Sequence, residues 1–185
     1  MRGKTGVLVA GLLLGAIAVL SVGSYAVAGS EKQSLKADEL VGYQENPDVS
    51  TLASGSFEVT IDDDAQSLTY SLSFGDLEGT VQQSHIHFGK RGVNGGITLF
   101  LCGTPGFSGP AGTPTCPPSG TVTRTVTAAD ILAPAVGGTP QGIEAMNFAE
   151  LAAALRAGHT YANVHSTKWP GGEIRAQIND QNEKG

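Results

Sequence analysis

The sequence predicts an all-β fold, a Greek-key-like β-sandwich or small barrel of about seven or eight strands with one short helix on its edge. Three observations carry that expectation. The 185 residues include 26 Gly, with only 15% charged and 6% aromatic residues, the profile of a turn-rich β protein with small side chains. Residues 55–61 and 68–74 alternate apolar and polar side chains, the period of a half-buried strand. A sustained helical pattern bounded by start and stop signals occurs at 148–157. With 40% hydrophobic residues the chain can bury one good core, so a single folded domain is expected.

Taken in order, residues 1–28 read as a targeting segment. Arg2 and Lys4 precede an uncharged apolar run, and Ala26-Val27-Ala28 supplies a small-x-small cleavage pattern. An uncleaved N-terminal anchor is the competing reading, because the uncharged stretch nearly suffices to span a bilayer. A disordered mature N-terminus is expected over 29–35, the folded domain over 36–178 and a polar tail over 179–185. A first strand is expected at 35–41, and Pro47 then imposes an extended or turn conformation. Residues 55–61 and 68–74 form a hairpin across Asp62-Asp63-Asp64-Ala65-Gln66. That run lacks the Gly and terminal Glu of a calcium loop and reads as a solvated turn.

Strands follow at 81–88, 97–101 and 121–126. Thr127-Ala128-Ala129-Asp130 resembles a capping box opening a brief helix that Pro134 closes, and 140–142 is a loop. Asn147 caps the main helix, Phe148, Leu151 and Leu155 make its apolar stripe, and Gly158 stops it. Strands at 159–166 and 173–178 complete the domain, with Trp169 as a packed anchor in the loop between them.

Export makes the two cysteines informative. Cys102 and Cys116 bracket a loop rich in Gly, Pro, Ser and Thr, and a secreted chain with two cysteines pairs them. Such a disulfide stabilises by about 3 kcal/mol. The net charge of −6 and pI near 5.1 argue against nucleic acid or an anionic membrane as partner. A membrane is a partner only if the N-terminal segment stays attached.

The candidate site is built from histidines. Of four in the chain, His85 and His87 stand at i, i+2 on one strand, which puts two imidazoles on one face while Ile86 turns to the core. A metal ion can use that pair if a neighbouring strand supplies His165 as third ligand. His159 shares a face with His165 but lies roughly 20 Å away along the strand, and so reads as a surface histidine. Glu173 and Arg175 share a face, an internal ion pair by their plain reading, with Glu45 a second acceptor for Arg175. Glu45 or Glu173 is a candidate carboxylate ligand, or, with Arg175, a partner that orients the imidazoles from outside the ligand set.

Several motifs together carry a resemblance: Gln44-Glu45-Asn46-Pro47, Ser84-His85-Ile86-His87, Gly92-Val93-Asn94-Gly95, Leu155-Arg156-Ala157-Gly158, Tyr161-Ala162-Asn163-Val164-His165 and Pro170-Gly171-Gly172-Glu173-Ile174-Arg175-Ala176-Gln177. In this order, across roughly residues 36–178, they resemble the CHRD domain, a module named after chordin and common in exported bacterial proteins. The resemblance implies an extracytoplasmic all-β domain and no particular enzyme. His159 stands where the family typically has Asn, and the Cys102–Cys116 loop is an elaboration.

Three function classes follow. The first is an exported module, secreted, periplasmic or in the cell envelope, that binds copper or zinc through His85, His87 and His165. The second is a metal-free interaction or matrix module whose partner is an extracellular protein. The third is a redox enzyme with the layout of a copper-zinc superoxide dismutase, although the dense histidine cluster and bridging ligand of a two-metal site are missing. No serine-histidine-acid motif, phosphate-cradling loop or nucleotide fingerprint appears.

Overall fold

The computed structural model describes residues 32–179, with Met1 and Gly3 alone from the N-terminal segment. The expected signal peptide or anchor, residues 29–31 and the tail 180–185 lie outside the described residues. Eight strands form one antiparallel sheet: β1 (Gln33–Val41), β2 (Ser54–Asp62), β3 (Ser67–Gly75), β4 (Val81–Phe88), β5 (Gly96–Gly103), β6 (Gly120–Thr127), β9 (Thr160–Ser166) and β10 (Ile174–Ile178). Their order is β5-β4-β9-β10-β1-β2-β3-β6. The two edge strands approach each other, and the Tyr70 hydroxyl of β3 donates to the Leu101 carbonyl of β5. The sheet is therefore curled into a nearly closed barrel rather than split into two layers, which leaves little exposed edge.

Alternation explains the barrel wall. Phe57, Val59 and Ile61 of β2 and Leu68, Tyr70, Leu72 and Phe74 of β3 are buried, and their registers run unbroken from Ser54 opposite Gly75 to Asp62 opposite Ser67. The aspartate run joins these strands as a capped turn. Asp62 Oδ1 accepts from the Ala65 amide at 2.9 Å, and Asp63 pairs with Arg156 at 2.6 Å. β1 begins earlier than expected, at Gln33, because Gln33 and Ser34 already pair with Ile61 and Thr60.

The helix α1 (Phe148–Arg156) covers one end of the barrel with Phe148, Leu151, Ala152, Ala154 and Leu155 buried. Asn147 Oδ1 accepts from the Glu150 amide at 3.2 Å, and Gly158 takes the left-handed conformation (φ +75°) that follows the C-cap. The Thr127 capping box forms as read, with the Thr127 amide donating to Asp130 Oδ2 at 3.0 Å. It opens only one 3-10 turn, Ala128–Asp130. The helix does not reach Pro134 because the Leu132 amide is drawn onto the Thr98 carbonyl of β5 at 2.8 Å. Beyond it, β7 (Ala135–Val136) and β8 (Thr139–Pro140) make a small hairpin that ends on Pro140, the first residue of the loop expected at 140–142. Gly137 and Gly138 both have positive φ there, the Gly-Gly signal of a tight hairpin turn.

Cys102 and Cys116 form the expected disulfide, and Gly103 bridges to Thr115 inside the loop it closes. Removing the α1 cap by Asn147→Ala is expected to cost about 1 kcal/mol. Urea unfolding checks this: the midpoint should fall with an unchanged slope.

Candidate metal centre

β4, β9 and β10 lie side by side and are buried on both faces. Ile86, Ala162, Val164, Ile174, Ala176 and Ile178 belong to the hydrophobic core. The alternate positions hold His85, His87, Tyr161, Asn163, His165, Arg175 and Gln177, all buried as well, so the opposite face is a polar layer. The register sets His85 opposite Asn163, His87 opposite Tyr161 and Gln83 opposite His165. His165 is thus diagonal to His85, within side-chain reach across two strands.

What buries the polar layer is the 89–95 connection between β4 and β5. His87 Nδ1 meets the Gly95 carbonyl at 2.8 Å, and the Gly95 amide donates to the Tyr161 hydroxyl at 3.2 Å. Arg175 donates to the carbonyls of Lys90 and Val93 and to Asn94 Oδ1, and Gln177 donates to the Gly89 carbonyl. The segment at Glu45-Asn46 is stitched to this cover, with Asn46 Nδ2 on the Gly92 carbonyl and Asn94 Nδ2 on the Asn46 carbonyl. Gly95 has to be glycine because a Cβ there would strike the Phe88 carbonyl.

Inside this cover the three predicted histidines converge. One ring nitrogen from each of His85, His87 and His165 lies within 4.8 Å of the others, the one such group of His, Cys, Asp and Glu among the described residues. His85 Nδ1 is 3.2 Å from His165 Nε2. His165 Nδ1 donates to the Pro170 carbonyl at 2.9 Å, as His87 Nδ1 does to Gly95. Those bonds settle both tautomers and direct each Nε2 lone pair inward, the arrangement of a metal-ligating imidazole held from behind. The Nε2 atoms of His85 and His87 are buried without a hydrogen-bond partner among the described residues.

Electrostatics keeps the imidazoles in the ligand form. Burial, reinforced by His165 and His87, holds His85 far below the ordinary imidazole pKa. Burial brings His87 down to about 4 against the opposing Gly95 carbonyl, and burial lowers His165 too. Neutral imidazoles are what a cation requires.

The flanking candidates are placed at different depths. Arg175 lays its guanidinium 3.3 Å over the Tyr161 ring, and Tyr161 stacks on His87 at 4.8 Å with an interplanar angle of 1°. Glu45 touches the layer through Asn163. Its pKa is pushed up to about 7 by burial, against the pull of Arg175 and the Asn163 hydrogen bond. Glu173 Oε1 instead accepts from Thr51 Oγ1 at 2.9 Å and the Glu78 amide at 2.7 Å, so its bonds tie the surrounding loops together. His159 is half-buried and its backbone closes α1, while Trp169 donates Nε1 to Glu78 at 3.3 Å as a loop anchor.

Three functional positions were missed from sequence: Asn163, Tyr161 and Phe100, whose ring stands edge-on to His85 at 4.4 Å. Asn163 and Tyr161 carried a usable signal, since they share the i, i−2, i−4 face of His165. Phe100 carried none, because its approach depends on β4–β5 register shifts beside His85.

Fold and site together define an antiparallel β-barrel with a buried histidine cluster between one wall and an overlying connection. The chain belongs to the CHRD domain family, which it matches over residues 37–178. Neither the comparison with curated proteins nor that with solved structures gives a match.

The depressed imidazole pKa values make the metal-free fold acid-sensitive. Below the ordinary value of 6.5 the unfolded chain takes up protons that folded His87 refuses until about pH 4, so stability falls on acidification through that window. Glu45 acts in the opposite sense between 4.5 and about 7, one carboxyl against three imidazoles. Thermal midpoints in chelator are expected to drop from pH 7 to pH 4.5, with a shallower drop in His87→Gln. A midpoint flat across that range in the parent chain would contradict the assigned protonation.

Proposed function

We propose that this chain is an exported metal-binding module that holds copper or zinc through His85, His87 and His165. The observation that carries the reading is the convergence of three buried, neutral imidazoles within 4.8 Å, two of them locked from behind by backbone carbonyls. Imidazole nitrogens without thiolate suit Zn(II) and Cu(II). The disulfide and the family membership support an oxidising, extracytoplasmic setting.

This reading is preferred to the metal-free matrix module because buried polar nitrogens without partners cost on the order of 1–3 kcal/mol each. A purely structural role gives His87 Nε2, whose lone pair is set by the Nδ1 bond to Gly95, nothing to offset that. A two-metal redox layout finds no support, since the described residues bring together one cluster of three histidines.

Elemental analysis tests the proposal. The chain, purified from an oxidising compartment without a histidine tag, is expected to carry about one equivalent of copper or zinc. His85→Ala and His165→Ala should each lose it, and His159→Ala should keep it. Protein that is metal-free and also refuses added Cu(II) and Zn(II) would overturn the reading.

A further inference from the structure

Resting on that metal reading, the polar layer carries a finer inference about how the site is completed. A neutral imidazole has a single N–H. His165 faces two oxygens, the Pro170 carbonyl at 2.9 Å from Nδ1 and Asn163 Oδ1 at 3.1 Å from Nε2. With its proton on Nδ1, His165 turns a lone pair toward the oxygen of a carboxamide.

Reversing the Asn163 amide would remove that conflict, but Glu45 opposes the reversal. The Asn163 side chain lies beside the Glu45 carboxyl and favours its ionised form, as a neighbouring amide N–H does and an amide oxygen would not. The backbone is anchored as well, with Ser84 Oγ donating to the Asn163 carbonyl at 2.6 Å. The residue is 2% exposed. The same carboxamide is close enough to His87 to raise its pKa. His165 Nε2 also lies 3.2 Å from His85 Nδ1, so with the His85 proton on Nε2 three lone pairs face one point, and a cation turns that repulsion into attraction.

We propose that Asn163 Oδ1 is the fourth ligand, closing the three-histidine cluster into a saturated N3O site, with Glu45 as the residue that holds the carboxamide in its ligating orientation. A divalent ion so enclosed is four-coordinate with no open position, the pattern of a structural rather than a catalytic centre. It clamps β4 to β9 and does not present a bound water to a substrate. All four donors are uncharged, so the ion's charge is balanced by the Glu45 carboxylate outside the ligand set.

Co(II) is the probe, because its visible absorption reports coordination, and azide tests for an open position. In the full chain, bound Co(II) is expected to give an absorption that azide leaves unchanged. Asn163→Leu should bind Co(II) about ten- to a hundred-fold more weakly, with an absorption that azide now shifts. Asn163→Asp, which keeps an oxygen in place, should restore affinity and azide resistance while shifting the spectrum, and it serves if the Leu variant fails to fold. Glu45→Gln should make the absorption azide-sensitive by freeing the carboxamide. The inference is overturned if Asn163→Leu matches the parent in affinity and azide response, if the Asp spectrum equals the parent's, or if the parent itself takes up azide. A parent chain that binds none of Co(II), Zn(II) or Cu(II) sinks the metal reading instead, and this inference with it.

Discussion

The constraint on which the rest depends is that the second face of β4, β9 and β10 is both polar and dry. A strand face carrying His85, His87, Asn163, His165, Arg175 and Gln177 would ordinarily be left in water, because burying polar groups without partners is costly. Here it is covered, and the cover has to supply the partners. The 89–95 connection does so largely with backbone: carbonyls of Gly89, Lys90, Val93 and Gly95 each receive a side-chain donor from the sheet. A glycine-rich segment is suited to that task, because it can approach closely enough to offer carbonyls rather than side chains. The loop's conformation and the layer's composition therefore specify each other.

Much of the fold was legible because one-sided burial leaves a period in the sequence. β2 and β3 announced themselves by alternation, and their registers follow it. Asn147 and Gly158 bounded α1 by the needs of free backbone groups at helix ends. The β7–β8 hairpin leaves only Gly137-Gly138 as a mark in the sequence, because a two-residue strand has no period to read. Whether the sheet closes on itself was not legible either. That depends on contacts such as Tyr70 with the Leu101 carbonyl, between residues 31 apart in sequence.

The site was legible to the extent that it obeys strand geometry. His85 and His87 follow from the two-residue repeat, and His165 from the adjacency of β4 and β9. Glu45 and Arg175 influence each other through their charges, but the hydrogen bonds of Arg175 go to Lys90, Val93 and Asn94 rather than to the expected acceptor Glu45. Pairing Glu173 with Arg175 from their shared face captured less, because it ignored the cover. Arg175 reaches up into the 89–95 connection, and Glu173 turns toward Thr51 and Glu78. Partners supplied by a loop have no periodicity, so the sequence carries no sign of which they are.

Arg175 shows how such a layer can hold a full charge without disturbing the histidines. Its guanidinium is shared among three oxygens of the cover and one aromatic face, a desolvated geometry in which cation–π attraction is substantial. Tyr161 stands between that charge and His87, stacked flat on both sides, and acts as an insulating spacer as much as a support. The arrangement works in one direction only. A fixed positive charge nearby disfavours a protonated His87, yet leaves a neutral imidazole free to donate its lone pair. Arg175 would also repel a cation bound among the imidazoles, so such an ion would need a counter-charge within the layer. Glu45 is the buried carboxyl in contact with Asn163, and a cation among the imidazoles would pull it toward its ionised form. Under the proposed metal reading, charge balance would link the ion, Glu45 and Arg175 into one unit, with Asn163 lying beside both the histidines and Glu45.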